Sequence, residues 1–177
     1  MSASRYRSVA VCGTGESEAE SSAAAEAIGF GLVEAGLAVI CGGLAGVMEA
    51  VARGGRNARD QGASGLVIGI LPGEDHAAAN RYCDLVLPSG LGIARNALIV
   101  RAAEVVVLVA GGAGTLSEAA LAWQLDRPLI AYCGAGGWSD RLAGMSLDHR
   151  PRSAIAMANS AEQVVRQVVA ALARLEV

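Results

Sequence analysis

The sequence predicts an α/β fold in one domain, residues 1–177: a parallel sheet of about seven strands, covered by helices on both faces to give three layers. Short apolar runs alternate with helical stretches along the whole chain, the pattern of successive βαβ units. Val105-Val-Val-Leu-Val109 is an unbroken aliphatic run, as expected of a strand buried on both faces. Glycine turns follow three of the apolar runs, after Cys12, Cys41 and Ala110. In open α/β sheets ligands bind beyond the carboxyl ends of strands, so these turns should converge on one crevice.

The elements follow in order. Ser8–Cys12 reads as a strand running into Gly13-Thr-Gly15. Ser17-x-x-Glu20 reads as a capping box before an alanine-rich helix to about Ala35, which Gly36 stops. Leu37–Cys41 is a second strand, and an amphipathic helix runs from Val47 to about Arg59. Gly65–Leu71 is a third strand, and Glu74–Arg81 is a polar loop that could cover a site. A short strand at Asp84–Leu87 precedes a helix from about Ile93 to Ala103. The Val105 strand then feeds a helix reaching about Leu125. Pro128–Cys133 is a strand, Gly134–Gly137 a loop with Trp138 after it, and Ala154–Met157 a last strand. Asn159-Ser160-x-x-Gln163 should cap the final helix, which ends near Leu175.

Composition narrows the function. Hydrophobic residues make up 53% of the 177 and charged ones 18%, yet no apolar run reaches the roughly 18 residues that span a bilayer. The surplus therefore belongs to a buried sheet, with some left for a subunit interface. The stretch from Met1 to Arg7 leads straight into a strand without a signal-peptide core, so a cytoplasmic location is expected. A net charge of −3 argues against nucleic acid as partner. All 14 basic residues are arginines. Without a lysine there is neither a pyridoxal Schiff base nor a Walker A loop. Cys12, Cys41, Cys83 and Cys133 are scattered and read as core thiols rather than metal ligands or disulfides. His76 and His149 read as solvated loop residues, with a lid over the site the alternative for His76.

The strongest local signal is Gly111-Gly112-x-Gly114-Thr115, a turn opening a helix whose N–H groups and positive end suit a phosphate, with the Thr115 hydroxyl a further donor. Gly13-Thr14-Gly15 lacks the third glycine and the ribose-binding acid of a dinucleotide fingerprint. It is either a close approach to a ligand or a plain tight turn. Gly42-Gly43-x-x-Gly46 admits ligand approach and strand–helix packing equally. Thr115-x-x-Glu118 is itself a capping box, so Glu118 could close its own helix or face a ligand. Arg95 starts the preceding helix. If the strands before Arg95 and Glu118 are neighbours, the two side chains emerge at the same sheet edge beside the phosphate turn. Otherwise Arg95 is a surface or helix-start arginine.

Gly42-Gly-Leu-Ala-Gly-Val-Met-Glu49, Gly92-Ile-Ala-Arg-Asn96 and Gly111-Gly-Ala-Gly-Thr-Leu-Ser-Glu118 together resemble the LOG superfamily, in order and over most of the chain, in particular the short bacterial LOG-like branch that includes molybdenum cofactor carriers. The resemblance implies a Rossmann-like fold, a homo-oligomer (dimer or tetramer) and a nucleotide or pterin phosphate as ligand. Its hydrolytic members cleave the N-glycosidic bond of a nucleoside 5'-monophosphate without a cofactor, and their arginine and motif glutamate match Arg95 and Glu118. Two positions depart from those enzymes: Ala110 stands where proline is usual, and Asn96 where lysine is usual. The Arg-Asn pair is similar to the carrier branch. The expectation is therefore a phosphoribohydrolase with Arg95 and Glu118 as catalytic residues. The alternatives are a molybdenum cofactor carrier and a nucleotide sensor. Ligand contacts are expected from Gly13, Thr14, Gly15, Gly42, Gly43, Gly46, Arg95, Asn96, Gly111, Gly112, Gly114 and Thr115, with no metal ligands.

Overall fold

A computed structural model describes residues 6–16 and 18–175. Seven parallel strands form a single sheet with the spatial order β4-β3-β2-β1-β5-β6-β7. In chain order these are β1 (Ser8–Gly13), β2 (Ala38–Cys41), β3 (Leu66–Leu71), β4 (Leu85–Pro88), β5 (Val105–Val109), β6 (Leu129–Tyr132) and β7 (Ala156–Ala158). The helices are α1 (Ala19–Glu34), α2 (Val47–Asp60), α3 (Asn96–Ala102), α4 (Ala113–Gln124), α5 (Gly137–Leu142) and α6 (Ala161–Arg174). The fold is the expected α/β, Rossmann-like one. Among the described residues no helix is long and apolar enough to cross a membrane.

Alternation along each strand sorts the core into two layers. Val9, Val11, Val39, Cys41, Val107 and Val109 face α1, α2 and α6. Ala10, Cys12, Ile40, Val106 and Leu108 face α3, α4 and α5. All five residues of β5 are buried. This strand pairs with β1, Val9 against Val105 through Gly13 against Val109, while β1 pairs on its other side with β2. Sequence order reverses between β1 and β5, so α1 and α4 leave the sheet on opposite faces and open a crevice between them.

Four expectations need correction. Glu18, without a side-chain cap, stands at the start of α1, and Ser17 lies outside the described residues. The Ile93–Ala103 helix divides into a 3₁₀ turn at Gly92–Arg95 and α3. Gly134–Gly137 runs into the short helix α5. Its start is set by tertiary contact: Ser139 is buried and its hydroxyl donates to the Leu108 and Tyr132 carbonyls. Finally, β4 is an edge strand and does not neighbour β5. At the end of the chain the Ser160 hydroxyl accepts from Gln163 N, and Gln163 Oε1 accepts from Asn159 N, the reciprocal cap that the sequence predicts.

Glycines let α1 and α2 touch backbone to backbone. A Cβ on Gly29 would strike the Val51 carbonyl, and one on Gly54 the Glu26 carbonyl. Alanine at position 54 gains up to about 1 kcal/mol of helix propensity, but the overlap is with backbone, which cannot rotate away. Gly54→Ala is expected to lose about 2 kcal/mol net, within the usual range for overpacking. Urea unfolding measures this, and a variant as stable as the parent would refute the close contact.

Candidate functional site

The crevice lies at the carboxyl ends of β1, β2 and β5. Cys12 and Gly13 at the end of β1, Gly15 just after it, Gly42 after β2, Met48 in the first turn of α2, Arg95 and Asn96 at the start of α3, and Gly114, Thr115 and Glu118 from α4 enclose a cavity of about 170 Å³. Thr14, Glu16, Glu18, Gly111, Gly112, Ala135 and Gly137 line a second compartment of about 250 Å³. Residues of the Gly111–Thr115 turn contribute to both.

Arg95 and Glu118 meet inside the first cavity. Arg95 Nη1 donates to Glu118 Oε1 at 3.5 Å, with side chains only 11% and 7% exposed. They do so although β4 and β5 are not neighbours. After β4 the chain crosses the top of the sheet, held by Ser89 N to Leu71 O and Gly92 N to Pro72 O, and carries Arg95 toward the centre. Arg95 Nη1 also donates to Asn96 Oδ1 at 2.8 Å, and Asn96 Nδ2 to Ser117 Oγ at 3.0 Å. Asn96 therefore latches Arg95 to α4. Arg95 Nε is buried and has no hydrogen-bond partner among the described residues.

The structure rejects the capping-box alternative for Glu118. Gly112 is the N-cap of α4, Thr115 sits a turn inside it, and Glu118 is buried in the helix body. Burial pushes the Glu118 carboxyl up to about 7, against the pull of Arg95 and of the neighbouring Cys12 thiol. Burial, and then the nearby Glu118 charge, hold the Cys12 thiol well above its ordinary range. Cys12 and Met48 were not marked as site residues by the sequence. The signal for Cys12 was its position, last in β1 before the glycine turn.

The glycines separate by role. A Cβ on Gly42 would collide with the Arg95 guanidinium and Met48 Sδ, so this glycine makes room for Arg95. Gly43 instead packs against Leu71 and Gly69, and Gly46, at φ +69°, against the Thr14–Glu16 backbone; neither lines either of these two compartments. Gly111, at φ +96°, is pressed against Thr115. A Cβ on Gly112 would meet nothing within 4 Å, so the protein's own packing does not demand glycine there. Open space in front of the first N–H groups of a helix suits an anion. Ala110 has φ +51°, a region closed to proline. Its carbonyl accepts from Ser139 N at 3.0 Å, and that of Gly111 from Trp138 N at 2.9 Å.

His76 and His149 are exposed. Trp138 packs against the α3–α5 layer with Arg141 5.2 Å from its ring, outside both compartments. Among the described residues no group of three or more His, Cys, Asp or Glu could hold a metal ion.

Fold and site together define a Rossmann-like domain with an anion-suited turn at the switch point. Residues 6–165 match the SLOG cluster4 family model, and the chain belongs to that family. It is similar to the solved structure of TM1055, with 32% identity, a TM-score of 0.83, and coverage of 93% of this chain and 99% of that one. It is also similar to the molybdenum cofactor binding protein of the phototrophic bacterium Rippkaea orientalis, with 29% identity, a TM-score of 0.82, and coverage of 96% and 99%. An uncharacterised protein of Archaeoglobus fulgidus is 40% identical over 114 residues, 64% of this chain and 72% of that one.

The Glu118 shift fixes a pH dependence. Its folded value, about 7, lies above the ordinary 4.5, so the folded state binds more protons than the unfolded one between these values. Stability is then full at low pH, falls as pH rises from about 4.5 to 7, and is flat above, a loss of about 3 kcal/mol by linkage. Urea unfolding at pH 5 and pH 8 measures this component. Glu118→Gln should remove it, and an unchanged slope in that variant would assign it elsewhere.

Proposed function

We propose that this protein binds and carries a phosphorylated pterin, the molybdenum cofactor, rather than hydrolysing a nucleotide. The observation that carries this is the near end-to-end similarity to the Rippkaea orientalis molybdenum cofactor binding protein. The site fits such a ligand on three counts. The N-terminus of α4 offers amides at Gly112–Thr115 to a terminal phosphate, Gly112 leaves space in front of them, and Arg95 carries a buried donor without a partner among the described residues. The Arg95–Asn96 latch supports the same reading, since the lysine usual in hydrolytic relatives is absent. Bound there, the pterin would supply the metal-holding group, while the protein supplies grip, orientation and shelter from water.

One observation keeps hydrolysis as the second reading. Glu118, a buried carboxyl lifted to about 7, stands 3.5 Å from Arg95 and could exchange a proton or face the positive charge that develops on ribose C1'. Incubation with purified molybdenum cofactor, followed by gel filtration and assay of molybdenum and pterin in the protein peak, tests the carrier reading. Stoichiometric retention with no change in the pterin is expected, and Arg95→Ala should weaken it at least tenfold. A parallel panel of nucleoside 5'-monophosphates should release no free base. Base release by wild type but not by Glu118→Gln would overturn the carrier reading.

The proposal includes a homo-oligomer. Leu85 and Leu87 on edge strand β4, with Leu91 and Ile93 beyond it, are exposed apolar residues at one end of the sheet. Light scattering should give a multiple of the 17.8 kDa chain mass, and Leu87→Glu should lower it. A monomeric parent would remove this part of the proposal.

A further inference from the structure

Two cysteines outside the crevice share a space that a glycine keeps open. Cys41 closes β2, Cys83 precedes β4, and β3 runs between them. Cys41 is in register with Gly69 of β3. Cys83 Sγ lies directly over that glycine: a Cβ added to Gly69 would stand 2.8 Å from the sulfur. The missing side chain thus leaves a pocket over β3, on the α1–α2 face, where Cys41 and Cys83 join one cluster. The two thiols adjoin each other there and shift one another's ionisation. Cys41 Sγ donates its hydrogen to Met48 O at 3.7 Å. Neither cysteine is in a disulfide.

The pair is asymmetric. Cys41 is fully buried, and Cys83 is partly open to solvent. Asn80 Oδ1 stands 3.6 Å from Cys83 Sγ. The neighbouring Cys41 thiol holds Cys83 below its ordinary value, whereas Cys83 and burial push Cys41 up. A partly accessible sulfur beside a buried partner, in a space that Gly69 keeps open, is the arrangement of an attacking and a resolving cysteine. By contrast Cys12 is buried beside a carboxylate that raises it, and Cys133 is raised by burial and by Asp140.

We propose that Cys41 and Cys83 form a redox-active dithiol that closes reversibly to a disulfide when the protein meets a hydroperoxide. The Cys83 thiolate attacks the terminal peroxide oxygen; an S–O bond forms, the O–O bond breaks, and the departing oxygen leaves as water or alcohol. Cys41 Sγ then attacks the resulting sulfenic acid, forming the S–S bond, breaking S–O and releasing water. Two thiols give up two electrons and two protons to the peroxide, and a small dithiol returns them. The new bond would tie the end of β2 to the segment before β4. That segment already grips the glycine turn, with Asn80 N bonded to Gly43 O at 2.8 Å and Asn80 Nδ2 to Leu44 O at 3.0 Å. Next along the turn is Gly42, packed against Arg95. The dithiol therefore adjoins the wall of the binding crevice without belonging to it.

Folded wild-type protein, treated with hydrogen peroxide and digested with trypsin without reduction, supplies the test. Peptides Ser8–Arg53 and Tyr82–Arg95 should appear joined and lighter than their sum by two hydrogens. Fragmentation should place the link on Cys41 and not on Cys12, which shares the first peptide, and dithiothreitol should release it. In Cys41→Ser, Cys83 should stop at a sulfenic acid trapped by dimedone, and in Cys83→Ser the link should vanish. Even oxidation of all four cysteines, Cys83 sulfinic acid without a link, or a link formed only in urea would each overturn the proposal.

Discussion

Everything in the crevice depends on a guanidinium and a carboxyl held out of water above a hydrophobic sheet. Burying either group alone is costly, and their mutual attraction offsets the loss only when geometry and further hydrogen bonds are right. The fold meets that condition indirectly. Gly42 clears space for Arg95, Asn96 fastens it to α4, and Cys12 lines the cavity beside Glu118. The compensation is incomplete, since Arg95 Nε has no partner among the described residues and Glu118 sits far above the ordinary carboxylate range. A site left short of hydrogen bonds gains most from a ligand that brings oxygen atoms.

The fold was legible because its signals are redundant. The run Val105–Val109, the stop at Gly36 and the Ser160–Gln163 cap each encode local geometry in residues near one another. Strand adjacency is not encoded that way. Nothing near Arg95 shows that the chain after β4 crosses three strands, so the meeting with Glu118 follows from topology rather than spacing. The short helix α5 escaped for the same reason, because it rests on the buried Ser139 hydroxyl and the carbonyls it meets. Capping boxes proved ambiguous. Ser160 is a cap because chain direction changes there, whereas Thr115 carries the same spacing inside a helix that began at Ala113.

Glycine content illustrates the same divide. The sequence marks a cluster of glycines near strand ends but not which of them answer to a ligand. Gly29, Gly54 and Gly46 are explained by neighbouring backbone, Gly43 by Leu71 and Gly69, and Gly42 by an arginine. Only where internal packing makes no demand, as at Gly112, does the residue point outward. Membership of the SLOG cluster4 family rests on the whole pattern, while the division between binding and turnover turns on a few side chains around Arg95 and Glu118.

The left-handed turn at Ala110 has an electrostatic consequence. A loop suited to an anion must also keep its own carbonyl oxygens out of the way, because each carries the negative end of a peptide dipole. Here the Ala110 and Gly111 carbonyls are taken up by the first amides of α5. Oxygen is sequestered against one helix, while the first amides of α4 are left without those carbonyls in front of them. The polarity of the turn is thus sorted by the fold itself, and α5, whose Gly137 borders the second compartment, does the sorting.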